Sequence, residues 1–311
     1  MKLEVFDRFK DYNEPHCWQY EIRQQNKVRD LVEAGLTRCE SEALAIADFS
    51  FEYIPKDDGA RCAEVVQFIK RHEWLGKMPI WVTHRFAVRL KKNGTLAGVI
   101  VMATPNSFSN LLGRESRGLE KLISRGACIS WSPKNLGSWM IMQSLRWMTK
   151  NTEFRYFTAY SDPEAKELGT IYQACNFHYL GQKFGSGFQY LDPSNATRGW
   201  FGDSGFNDRS QIVRYAKALG IEWQREWYKM VGKKKNYRKV NWQAIPLDVA
   251  QQLKDERKAH RARCQKRRSP AKHKYCYILG RTKKETKKLK RLFAAHSPDK
   301  LGLPYPKERG K

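Results

Sequence analysis

The stretch that decides the fold runs from 127 to 181: ACISW (127–131), SPKNLGS (132–138), WMIMQSLRWMTK (139–150), RYFTAYSD (155–162) and GTIYQACNFHYLG (169–181). It reads as a β-branched and aromatic strand, a polar turn, an amphipathic helix, a second strand, a connection, a short helix and an aromatic strand over 177–181. Working outward, 81–91 and 96–103 are strand-like and flank KNGT, whose Asn93-Gly94 pair offers positive φ angles for a tight antiparallel turn. Helical patterning covers 18–34 and 59–71, and a further helix is expected near 116–124. A mixed sheet flanked by helices is the simplest solution for this order.

The charge is lopsided. The 311 residues carry 58 Lys and Arg against 32 Asp and Glu, a net +26, which points to a polyanionic partner. The last 83 residues hold 27 basic and 6 acidic side chains, so +21 of the excess reads as an appendage to a nearly neutral body. In that tail KKKNYRK (233–239), KDERKAHRARCQKRR (254–268) and KKETKKLKR (283–291) are interleaved with Tyr237, Trp242, Tyr275 and Tyr277, cations for phosphates and rings for bases. PLDVAQQLKDERKAHRARC (246–264) reads as a helix and KYCYILG (274–280) as a buried strand that packs on the body. The Gly-, Asn- and Ser-rich stretch 191–210 is expected to be a long loop beside a site. No apolar run is long enough for a membrane span and the first residues form no signal peptide, so an intracellular protein is expected. The seven cysteines show no C-x-x-C spacing, which fits reduced thiols and no metal site.

Several residues could carry chemistry. The turn 132–138 between a strand and a helix exposes amides suited to a phosphate or pyrophosphate, with Lys134 adding a charge and Asn135, Gly137 and Ser138 shaping it; the same residues also serve as an ordinary helix cap. Asp162 follows a strand end and could orient or deprotonate an amine, while Tyr160 or Tyr172 could protonate a leaving thiolate and Asn176 lies four residues beyond Tyr172. Ser161-Asp162-Pro163 also reads as a turn. His72 closes a helix, and Cys175 with His178 offers a weaker thiol alternative.

With these segments in place, the chain resembles the GCN5-related N-acyltransferase (GNAT) fold and, within it, the phage Mom-like DNA adenine modification proteins. The resemblance rests on the 127–181 pattern, above all GTIYQACNF after the strand-end Tyr160, Ser161 and Asp162, and on RHEWLG (71–76), NLLGRE (110–115), ISRGACISWSPKN (123–135) and KYCYILG followed by LPYPK. Glu167-Leu168 stands where the family pattern has Gly-His, and the basic insertion around 229–270 is larger.

The resemblance implies a GNAT-like, mostly antiparallel twisted sheet flanked by helices (α+β) with a basic C-terminal extension. It divides the chain into an N-terminal helical region (1–64), an acyltransferase core (65–190), a loop and helix elaboration (191–228) and a nucleic-acid-binding extension (229–311). It also implies an acetyl-CoA or related acyl-CoA donor held by Ile129, Trp131, Lys134, Asn135, Gly137, Ser138 and Asn176. Catalysis would fall to Asp162, Tyr160, Ser161, Tyr172 and His72. Double-stranded DNA would lie along Lys233, Lys234, Lys235, Arg238, Lys239, Arg261, Arg263, Lys266, Arg267, Arg268 and Trp200. The implied reaction moves a small, carbamoylmethyl-like group to the exocyclic amine of adenine in the host cytoplasm, protecting DNA from restriction; the base must leave the stack to be reached. No membrane partner is implied and a homodimer is left open. The same fold also serves modified nucleotides, RNA or protein amines, and a decayed cleft would leave a nucleic-acid-binding or host-interaction protein.

Overall fold

A computed structural model describes residues 16–79, 81–105, 111–112, 118–184, 187–231 and 237–307. The chain forms two compact units, Met1–Lys183 with Ala271–Lys311, and Phe184–Pro270 inserted between them.

The first unit opens with α1 (Trp18–Ala34) and α2 (Arg38–Ala43), then β1 (Phe49–Ile54), α3 (Gly59–His72), β2 (Val82–Leu90), β3 (Leu96–Ala103), β4 (Glu120–Cys128), α4 (Leu136–Asn151), β5 (Tyr156–Ser161), α5 (Thr170–Ala174) and β6 (His178–Phe184). The inserted unit supplies β7 (Phe188–Leu191), β8 (Phe201–Gly202), α6 (Arg209–Ala218), β9 (Tyr228–Val231), β10 (Tyr237–Val240), α7 (Leu247–Arg263) and β11 (Gln265–Arg268). The chain then returns to the first unit as β12 (Ala271–Ile278) and α8 (Lys283–His296).

Seven strands form the main sheet in the order β1-β2-β3-β4-β5-β12-β6. The β4–β5 pair is parallel, while β1–β2, β2–β3, β3–β4 and β5–β12 are antiparallel. This is the mixed sheet flanked by helices expected from the order of elements, and mostly antiparallel as the resemblance implies. Its centre is dry: all eight residues of β3 are buried, and Gly98 leaves space that Met140 of α4 fills. An added Cβ at Gly98 would lie 3.1 Å from Met140 Sδ.

The expected tail strand is present, and its position changes the reading of the charge. β12 is an interior strand of the sheet, between β5 and the edge strand β6, with Tyr275 and Cys276 fully buried. The basic excess is therefore not an appendage. Residues 184–270 hold 19 Lys and Arg against 8 Asp and Glu, and 271–311 hold 13 against 3, so two different units share it.

Local corrections have physical causes. Of the helix expected near 116–124, residues 116 and 117 lie outside the described residues and the rest is instead β4 from Glu120, because pairing with β3 and β5 outweighs the helical propensity of Leu119, Glu120 and Lys121. In the β2–β3 turn Gly94 alone takes positive φ (+75°); Asn93 instead binds Thr95 N–H through Oδ1 (3.1 Å) and Ala34 O through Nδ2 (2.9 Å). The 191–210 stretch is broken into 3₁₀ turns over Pro193–Arg198 and Asp203–Asn207 around β8, closed by Tyr190, Phe201, Phe206 and Cys264.

The first helix carries a partly polar buried stripe, Ile22, Asn26, Asp30 and Ala34, at i to i+4 spacing. Asn26 Nδ2 donates to Arg71 O at 2.9 Å, Arg23 to Ser130 O at 3.1 Å, and Trp131 Nε1 to Asp30 O at 3.0 Å. Hydrogen bonds to backbone thus fix α1 against α3 and the residues after β4. In the inserted unit, α6 and α7 enclose Ile212, Tyr215 and Leu253. His260 there bridges Tyr215 OH (Nδ1, 2.7 Å) and Asp192 (Nε2, 2.9 Å). Among the described residues no helix is long and apolar enough to cross a membrane.

Candidate active site

The site follows from where two strands stop pairing. The β4–β5 ladder covers Glu120–Leu122 against Tyr156–Thr158. Beyond it β4 follows β3 to Cys128, while β5 follows β12 to Ser161. The two strands diverge toward their C-terminal ends, where an open α/β sheet places ligands.

On the β4 side of that opening, Ser132–Gly137 turn into α4. Asn135 occupies the helix N-cap in the left-handed region (φ +66°), and its side chain makes no capping hydrogen bond. Lys134 and Asn135 are exposed. The first amides of a helix have no partner within it, and the helix dipole adds positive character, so this turn suits a diphosphate. Gly137 lies close to α5: an added Cβ would stand 2.9 Å from Ile171 Cδ1. Ser138 Oγ donates to Asn135 O at 3.0 Å. Ile129 and Trp131 are buried instead. Ile129 N–H extends the sheet to Ala97 O (2.8 Å) and Trp131 stacks on Phe49, so their side chains serve the core. Asn176 turns the chain after α5 with φ +58° and is exposed.

On the β5 side lies a charged cluster. Asp162 Oδ1 accepts from Glu164 N–H (3.1 Å) and its Oδ2 pairs with Lys272 Nζ (3.0 Å), so it shapes the turn and holds a cation. Glu167, absent from the sequence-based candidates, accepts Asp162 N–H (3.2 Å) through Oε2 and the Trp74 indole N–H (3.0 Å) through Oε1. Burial, reinforced by the nearby Glu73 and Asp162 charges, pushes Glu167 up to about 7. Glu73 is buried too and raised by burial; it accepts Gly76 N–H (2.8 Å) and faces Arg125 (3.9 Å). Burial, with the Glu167 and Glu73 charges behind it, holds the Tyr172 phenol above its usual range. Two carboxylates that resist ionising together beside a protonated phenol are suited to proton transfer near neutral pH.

Other candidates fall elsewhere. Strand alternation puts Tyr160 and Ser161 on opposite faces of the sheet. Tyr160 lies across from Lys274, whose Nζ is 5.7 Å from its ring centroid, and burial pushes the phenol up to about 12. Ser161 is buried opposite His273. His72 is also buried, packed on Phe68 with Nδ1 3.6 Å from Asp30, and burial lowers it to about 3, so it stays neutral. Burial pushes the Cys175 thiol up to about 11, which removes the thiolate a nucleophile needs.

In the inserted unit Arg267 lies 4.0 Å over the Trp200 ring and Lys266 4.0 Å over Phe188. Lys266, Arg268, Arg261 and Arg263 are exposed. Arg261 also reaches Tyr190 OH (2.6 Å), and Arg238 and Lys239 lie on β10. Lys233, Lys234 and Lys235 lie outside the described residues.

Residues 58–198, a little under half of the chain, match the Mom protein family. Solved structures with a similar fold include NAA60 from Arabidopsis thaliana in complex with acetyl-CoA (14% identity, 46% of this chain, 90% of that one, TM-score 0.33). Others are YncA, a putative acetyltransferase from Salmonella typhimurium with acetyl-CoA (13% identity, 44% and 84%, TM-score 0.33), and a ribosomal-protein-S5-alanine acetyltransferase from Vibrio fischeri (14% identity, 43% and 69%, TM-score 0.28). No curated protein matches.

Proposed function

We propose that this chain, Mom-like over residues 58–198, transfers a small acyl-derived group to the exocyclic amine of adenine in DNA. The observation that carries the reading is Glu167, a carboxylate held near neutrality at the end of β5, where that strand has parted from β4.

The α4 turn fits an acyl-CoA donor: the start of the helix carries no side-chain cap, Lys134 is exposed, and Gly137 leaves room that α5 would otherwise dispute. When bound, the donor supplies a group already activated as a thioester. An aromatic amine conjugated to its ring is a weak nucleophile, so attack requires loss of its proton as the new bond forms. Ionised Glu167 accepts that proton, oriented by the Trp74 indole and by Asp162 N–H. Tyr172, protonated at neutral pH, is the group suited to return a proton to the leaving sulfur. Asp162 with Lys272 keeps the turn that presents Glu167. The cationic side chains stacked on Trp200 and Phe188 in the inserted unit support a nucleic-acid acceptor, since flat rings and phosphate-pairing cations occur together.

The test is mass spectrometry of nucleosides from DNA of cells expressing the chain. We expect a 2′-deoxyadenosine of increased mass that disappears with Glu167→Gln and with Asp162→Ala. Unmodified adenine with no other altered base would overturn the reading.

A further inference from the structure

We propose that α8 is a second docking surface for duplex DNA, one that the unit bearing the candidate active site carries itself. The inference rests on the reading that DNA is the acceptor. It comes from a different observation than the stacked cations of the inserted unit.

A groove of about 710 Å³ lies along α8, and Arg281, Lys283, Lys287, Lys290 and Arg291 line it. All five are exposed. Lys283, Lys287 and Lys290 fall on one helical face, with Arg291 at its edge, while Leu289 and Phe293 are buried on the other. The face from 283 to 291 is about 12 Å long at the rise of an α-helix. A DNA strand carries one phosphate per roughly 3.4 Å of axis, so that length matches three or four successive phosphates.

Among the described residues no acid lines the groove, and the one acid of the helix is occupied on another side. Glu285 is the sole Asp or Glu in α8, and its Oε1 pairs with the buried Arg155 at 2.7 Å while its Oε2 accepts Arg281 N–H at 2.7 Å. The helix is also held firmly in place. Tyr156 OH donates to Leu289 O (3.1 Å), Arg281 pairs with Glu153 (2.9 Å), and Gly280 N–H donates to Thr286 Oγ1 (2.9 Å). A firmly held row of cations about as long as three or four phosphates, with no acid lining it among the described residues, favours a nucleic-acid backbone over an acidic peptide, whose charges have no fixed spacing.

The experiment measures binding of a labelled duplex to the full chain by fluorescence anisotropy between about 50 and 200 mM salt. The quadruple variant K283A/K287A/K290A/R291A is compared with wild type and with K266A/R268A in the inserted unit. Each phosphate contact contributes about 0.9 to the slope of log K against log salt. We expect the α8 variant to lose up to about 3.6 of that slope with its melting temperature unchanged, and the second variant to lose up to about 1.8 independently. An α8 variant that keeps the wild-type slope overturns this inference and leaves the DNA reading standing. A wild-type chain that binds no duplex overturns both. An α8 variant that loses affinity for polyglutamate and not for duplex also overturns it, in favour of an acidic protein partner.

Discussion

The indole N–H of Trp74 donates to the carboxylate of Glu167 at 3.0 Å, joining residues 93 positions apart in the chain. Trp74 lies just past α3 and Glu167 just before α5, so one hydrogen bond links two segments that carry the Mom-like resemblance. Glu167, with Leu168, stands in place of the family's Gly-His pair and so adjoins the histidine position. Its raised value, about 7, places it in the range where a histidine would normally exchange protons.

The first prediction concerns rate against pH. If Glu167 must be ionised to accept the amine proton, transfer to duplex DNA rises with pH through about 7 and then levels. Glu167→Gln keeps a hydrogen-bond acceptor for Trp74 but cannot take a proton. It is expected to lower the rate by about 10²–10⁴-fold and to abolish the inflection. Release of free thiol from acetyl-CoA in the presence of duplex, followed over a pH series, reads both. An unchanged inflection in the variant assigns it to another group.

The second concerns stability, where Glu167 and His72 act in opposite directions. A glutamate raised from 4.5 to about 7 binds its proton more tightly when folded, so its contribution is full below 4.5 and is lost as pH rises through about 7. A histidine lowered from 6.5 to about 3 contributes fully above 6.5 and loses that contribution as pH falls toward 3. Melting temperature should therefore decline on both sides of mildly acidic pH. Glu167→Gln flattens the alkaline side and His72→Gln the acid side, and thermal melts across pH check each. His72→Gln is also expected to leave the rate inflection in place, since His72 faces Asp30 and Phe68 in the core.

Much of this site was legible in the sequence because it is built from local signals. A strand, a Gly-containing turn and a helix announce themselves through periodicity and turn chemistry, so the α4 turn and the GTIYQACNF segment could be placed. Glu167 could not, because its character comes from burial and from Glu73, which sequence spacing does not reveal; the nearest signal was the departure of Glu167-Leu168 from the Gly-His of the family pattern. Tyr160 and Ser161 were grouped as neighbours along the chain, although a strand turns successive side chains to opposite faces. The basic tail misled for a related reason. Composition registers charge but not that β12 inserts between β5 and β6, so truncation after 228 would remove an interior strand as well as cations. Point substitutions are therefore the sound test of nucleic-acid contacts.

The third prediction uses a close approach beside the site. Gly169 has φ +66°, and an added Cβ would lie 2.5 Å from Cε2 of Tyr275, a ring buried in the sheet whose hydroxyl donates to Leu168 O. Neither a rotamer change nor a small backbone shift relieves that contact without moving β12. Gly169→Ala should cost about 2–4 kcal/mol, combining left-handed strain with overpacking. Gly35→Ala is the control: φ is +62° there, but an added Cβ has nothing within 4 Å, so only about 1 kcal/mol is expected. Urea unfolding of both variants compares them, and equal losses would mean that the Tyr275 contact relaxes freely.

The last prediction separates donor binding from helix stability by giving them opposite signs. Ser138 lies in the first turn of α4, beyond an N-cap whose side chain makes no capping bond. A carboxylate at this position interacts favourably with the positive end of the helix, typically by about 0.3–1 kcal/mol, so Ser138→Asp should leave melting temperature unchanged or slightly raised. The same carboxylate would stand where a diphosphate needs the amides and would repel it. Calorimetric titration with CoA is therefore expected to show affinity lowered by at least about tenfold, a difference of about 1.4 kcal/mol. Lys134→Ala removes the neighbouring cation and should weaken CoA binding without touching the helix. If Ser138→Asp binds CoA as wild type does, the donor diphosphate does not lie on the α4 amides.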